Sequence, residues 1–96
     1  IETSLMLHLM PEAVREAERA DFVPASVAME SEFEVLRGTG RTAFSWMTAD
    51  LSASGACGNA GNASAAKGAQ SAEFAVGRFL RLLDDIDGFD PARLAD

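Results

Sequence analysis

Apolar residues crowd the opening of the chain. Leu5, Met6, Leu9 and Met10, with Leu7 and His8 between them, make the first segment apolar almost all round a helix. Such an element is normally buried on several sides. Thr3 or Ser4 is placed to cap its start through a hydroxyl, and Pro11 predicts its end near Met10, because the residue before proline avoids the α region. Proline also suits the first turn of a new helix. Residues 12–20 read as that helix, with Glu12/Arg15 and Glu16/Arg19 at a favourable i,i+3 spacing.

Residues 22–26 surround Pro24 and form a connector. Residues 27–36 leave two readings open. The alternation of Glu30, Glu32 and Glu34 with Ser31, Phe33 and Val35 suits a half-exposed strand, whereas the glutamates themselves suit a helix. Gly38 and Gly40 bracket a turn, and residues 42–47, with Phe44 and Trp46, read as a strand. Residues 52–62 are small and rich in Gly, Ala, Ser and Asn, as a loop is.

The clearest periodicity follows. Asn62 or Ser64 can cap a long helix whose apolar stripe runs through Ala72, Ala75, Val76, Phe79, Leu80, Leu83 and Ile86, in steps of three and four. Gly68 and Gly77 lie inside it, each costing about 0.8–1 kcal/mol relative to alanine. Their presence predicts close approach of another backbone. Gly88 is placed to stop the helix, and Asp90-Pro91 opens the tail.

Charge changes the picture more than size does. A chain of 96 residues has room for a modest core. Its net charge of −7 argues against nonspecific nucleic-acid binding, which needs cations to neutralise phosphates, and against docking on anionic membranes. No apolar run approaches the roughly 18–20 residues that span a bilayer. One cysteine, Cys57, excludes an internal disulfide and a cysteine-based zinc knuckle, in keeping with a reducing cytoplasm.

Each residue that might carry chemistry also has a plainer explanation. Glu2, just before the apolar helix, suits a charge complementing the helix dipole, and a single carboxylate cannot make a metal site. His8, alone on an apolar helix, suits a packed, hydrogen-bonded side chain. Cys57 has no histidine near it in sequence to act as base, so a structural role is favoured. Gly55, Gly58 and Gly61 precede a helix, but Lys67-Gly68 has neither the order nor the spacing of a phosphate-binding loop, and the tight Gly-x-Gly start of a dinucleotide site is missing. Trp46 is expected in the core. Composition and spacing alone define an α/β fragment without an assignable activity.

A family resemblance carries the functional expectation. The run Ile1-Glu2-Thr3-Ser4-Leu5-Met6-Leu7-His8-Leu9-Met10-Pro11 resembles the helix opening of the creatininase family, where His-Ala-Gly and a short spacer precede Glu-Thr-Ser-Leu-Met-Leu. Gly55-Ala56-Cys57-Gly58 and the later Ala63-Ser64-Ala65-Ala66-Lys67-Gly68 resemble the late loop and helix start of that family, and residues 79–89 its Leu-Leu-x-Asp-Ile-x-x-Phe ending. Asn59-Ala60 stands where Asp-Pro is common, and Ala66 where Glu is common.

The resemblance implies that residues 1–96 are the C-terminal segment of a single creatininase-like domain whose N-terminal half is absent here. The implied fold class is α/β, the C-terminal part of a layered α/β/α subunit. The implied activity is metal-dependent hydrolysis of a C–N bond in a small linear or cyclic amide, with a metal activating water for attack on the carbonyl. Two divalent ions per subunit (zinc, manganese or iron), a homo-oligomer (a hexamer by resemblance) and a cytoplasmic location complete the expectation. Of the positions here, only Glu2 maps onto the family's metal centre, as a ligand or a carboxylate close to one. The competing expectation is a non-catalytic assembly segment of a degenerate homologue, its long helix packed on a partner.

Overall fold

The apolar opening segment and the later periodic stripe both become helices. Helix α1 spans Glu2–Leu9 and helix α4 spans Ala65–Gly88. The structure is a computed structural model describing residues 1–94, which fall into two compact units: residues 1–14 with 64–94, and Arg15–Ala63. The described residues are mostly helical, with one small two-stranded sheet.

In the first unit α1 packs against α4. Ser64 caps α4 as expected: its Oγ accepts the Lys67 N–H at 3.3 Å, satisfying a donor that the first turn leaves unpaired. Gly88 is the last helical residue, and a turn at Pro91–Arg93 follows, closed by the Asp90 carboxylate accepting the Ala92 N–H at 2.9 Å. The expected hydroxyl cap of α1 is not found. Ile1 occupies the cap position with no side-chain bond, and Thr3 and Ser4 lie within the helix. Ser4 is only 4% exposed, the one buried polar residue among those described. Its Oγ accepts the Ser64 N–H at 3.2 Å.

The glycine at position 68 explains how the two helices come so close. A Cβ built there would overlap the carbonyl carbon and oxygen of Ser4 and lie 3.0 Å from the His8 Cβ. The backbones are therefore in direct contact, an approach only glycine permits. Gly77 meets nothing within 4 Å, so the expectation of close approach holds at one helical glycine and fails at the other.

The second unit is built around a clamp. Strand β1 (Asp21–Phe22) pairs antiparallel with strand β2 (Gly58–Asn59), Asp21 opposite Asn59 and Phe22 opposite Gly58. Asn59 Nδ2 donates to the Asp21 carboxylate at 3.0 Å, and the Gly61 N–H donates to the Ala20 carbonyl at 3.1 Å. The Arg19 guanidinium donates to three carbonyls beyond the strand, those of Ala60 (3.0 Å), Gly61 (3.2 Å) and Ala63 (2.7 Å), while Glu16 pairs with it at 2.6 Å. A lysine ammonium cannot reproduce this planar set of donors. Arg19→Lys is expected to lower the stability of the protein by about 2 kcal/mol, the range for bonds from a charged donor. A denaturant midpoint that does not move would show the clamp has no net worth.

This clamp also accounts for a correction. Residues 12–20 do not form a continuous helix. They form two short 3-10 turns, Pro11–Ala13 and Glu16–Glu18, separated by Val14, which is extended, and Arg15. Arg19 is thereby turned towards carbonyls more than 40 positions away. Of the expected ion pairs, Glu16/Arg19 forms, but Arg15 pairs with Glu18 at 3.2 Å rather than with Glu12.

The remaining elements are short. Helix α2 (Ala25–Glu32) settles the first part of that stretch as helix, which ends at an extended Phe33 and is followed by a bend at Glu34 and Val35. The expected strand at residues 42–47 is reduced to a single bridge between Arg37 and Ala43. Helix α3 (Thr48–Leu51) starts where the Asp50 carboxylate accepts the Met47 N–H at 2.8 Å, and it carries Leu51, 8% exposed. Trp46 is 38% exposed rather than in the core. Its Nε1 donates to the Gly38 carbonyl at 2.5 Å, tying its segment to the turn at Gly38 and Gly40.

Candidate functional site

Glu2 is the first residue of α1, and its position follows from the local sequence. The helix starts as the Leu5 N–H donates to the Ile1 carbonyl at 3.0 Å, leaving the Glu2 carboxylate in the first turn. There it complements the partial positive charge of the helix N-terminus. The side chain is exposed, and no hydrogen bond or ion pair engages it among the described residues. Its backbone is well fixed. Two residues on, Ser4 is buried, bonded to Ser64 and seated against Gly68.

The other candidates are not drawn to Glu2. His8 lies in the last turn of α1, six positions on, and so on a different face of the helix. It is exposed rather than packed, and no hydrogen bond holds its ring among the described residues. Cys57 is an exposed free thiol in the loop before β2. Gly55 and Gly58 adopt positive φ (73° and 96°), which explains the glycines there as turn formers rather than as a phosphate cradle.

The described residues contain no group of three or more His, Cys, Asp or Glu side chains able to hold a metal ion. The donor chemistry of Glu2 does fit a divalent cation: an oxygen carboxylate, solvent-accessible and uncommitted to another partner. It fits as one ligand among several, so these residues alone do not build a centre.

Ser4 and Arg19 are the structurally decisive polar residues that the sequence left unremarked or read differently. Ser4 carries a signal, a hydroxyl beside the apolar run from Leu5, but the same signal suits a helix cap. The sequence bears no local sign of Arg19's three carbonyl partners.

A helix-rich chain with a small sheet and an uncommitted carboxylate on a helix start does not by itself define a class of protein. Comparison with known proteins narrows the class. The profile of the creatininase family, described as creatinine amidohydrolase, matches residues 1–83. The chain belongs to the creatininase family. No curated protein matches it, and no solved structure does. Among the described residues no helix is long and apolar enough to cross a membrane.

Proposed function

We propose that this chain supplies part of a metal-dependent amidohydrolase that cleaves a C–N bond in a small linear or cyclic amide, within a layered α/β/α subunit. The observation that carries the reading is the family match, which begins at the first residue and so includes Glu2 within the Glu-Thr-Ser-Leu-Met-Leu run. Glu2 donates a carboxylate oxygen to a divalent centre of zinc, manganese or iron, two ions per full-length subunit, whose other ligands come from outside these 96 residues. The metal, when bound, supplies Lewis-acid activation of water and of the amide carbonyl. The contribution of this chain is to hold one anionic oxygen at a fixed place, on a helix start locked by Ser4 and Gly68. We further propose a cytoplasmic homo-oligomer, a hexamer by resemblance.

Glu2→Gln in the full-length protein keeps the shape of the side chain and removes its charge. It is expected to lower metal occupancy or turnover at least tenfold, the scale on which metal-site substitutions act. Unchanged metal content and kinetics would remove Glu2 from the centre.

A second reading is favoured by one observation, the exposed apolar stripe of α4, with Phe79 59% and Ile86 60% exposed. In it the chain is a non-catalytic assembly segment of a degenerate homologue, and the stripe packs on a partner. The two readings separate on metal content: a full-length protein purified without metal, and unable to take it up, supports the assembly reading.

A further inference from the structure

The contact between Gly68 and Ser4 lies two residues from the one candidate ligand, in the same unit. We propose that Gly68 is a positioning residue for the Glu2 carboxylate. This rests on the reading of Glu2 as a metal ligand and adds the part of the fold that fixes where that ligand stands.

Two features set the place of the first turn of α1. The absence of a side chain at position 68 lets the Ser4 carbonyl rest on the backbone of α4. The Ser4 hydroxyl accepts the Ser64 N–H at 3.2 Å, and Ser64 in turn caps α4 through the Lys67 N–H. The first feature fixes the separation of the helices, the second their register. Glu2 lies half a turn before Ser4 on the same short helix, so any shift of Ser4 carries the Glu2 backbone with it. A Cβ at position 68 meets backbone on the other side, which cannot swing away as a flexible side chain can. The start of α1 must then move as a body. A metal centre is sensitive to such movement because its ligands must stay within a few tenths of an ångström of their ideal distances.

The experiment uses the full-length protein as wild type, Glu2→Gln, Gly68→Ala and the double variant. Zinc affinity is measured by competition with a chromophoric chelator, well below each variant's melting temperature. Glu2→Gln and Gly68→Ala are each expected to weaken zinc at least tenfold, and the double variant no more than Glu2→Gln alone, because one substitution acts through the other. Wild-type affinity in Gly68→Ala beside weakened binding in Glu2→Gln overturns the positioning role and leaves Glu2 as a ligand. Full additivity in the double variant also overturns it, since Gly68 would then act by another route. Wild-type affinity in Glu2→Gln removes the ligand reading itself and the positioning role with it. Should Gly68→Ala fail to fold, Ser4→Ala loosens the same seat by removing the bond to Ser64 that holds the Ser4 carbonyl against position 68. A loss of about threefold that vanishes in the Glu2→Gln background supports the proposal, and no loss overturns it.

Discussion

The isolated 96-residue chain is expected to bind a hydrophobic dye strongly, to self-associate at micromolar concentration, and to melt without a sharp cooperative transition. The reason is the amount of apolar surface it presents. The chain exposes 7788 Å², against about 5,300 Å² for a folded monomer of its mass by the usual size scaling. The excess is the size of an obligate interface. Much of it lies on α4, where Val76, Phe79, Leu80, Leu83 and Ile86 are all more exposed than buried or nearly so. Covering the exposed half of each of these side chains stabilises by about 1 kcal/mol, which together approaches the whole stability of a small domain. Contiguous apolar surface on that scale drives association when its partner is missing. Dye fluorescence, sedimentation and a thermal scan check the expectation. A monomeric chain that ignores the dye and melts cooperatively would show that the described contacts suffice by themselves.

The same stripe shows what was legible in the sequence. Its three-and-four spacing located α4, and Ser64 and Gly88 marked its ends almost to the residue. Pro11 likewise placed the end of α1. These signals are local: a period, a cap, a ring that cannot continue a helix. The misplaced elements depend on remote partners. Residues 12–20 have the composition of a helix, yet they form two turns from which Arg19 reaches the carbonyls of Ala60, Gly61 and Ala63. The aromatic run through Phe44 and Trp46 has strand composition, but a strand needs a neighbour, and here only Ala43 finds one.

Glu2 illustrates a different boundary. Nothing in its spacing or surroundings separates a ligand from an ordinary first-turn acid, and the described residues bring no second donor to it. Its candidacy comes from the family match, and the structure adds only that the carboxylate is uncommitted and its helix start is held in place. Ser4 was visible as a hydroxyl among leucines and methionines, but its bond to Ser64 spans 60 positions and has no local signature.

Gly68→Ala and Gly77→Ala are expected to change the stability of the full-length protein in opposite directions, although both place a methyl group inside the same helix. Helix propensity favours each by about 0.8–1 kcal/mol. At Gly77 nothing opposes that gain, because a Cβ there meets no atom within 4 Å; the variant should be more stable by about 1 kcal/mol. At Gly68 the new carbon falls on the Ser4 carbonyl. Overpacking typically costs about 1–3 kcal/mol even where side chains can adjust, and here the obstacle is backbone, joined to α4 through the Ser4 hydroxyl. The net loss should be about 2 kcal/mol, the upper end of that cost less the propensity gain. Denaturant midpoints of the two variants against wild type decide it. A loss at Gly77 matching that at Gly68 would mean that a second backbone lies against that face of α4 in the full-length protein, and the glycine there would then serve the close approach its sequence position first suggested. A gain at both would mean that α1 yields freely at Ser4, and a helix start that yields so easily could not hold the Glu2 carboxylate in one place.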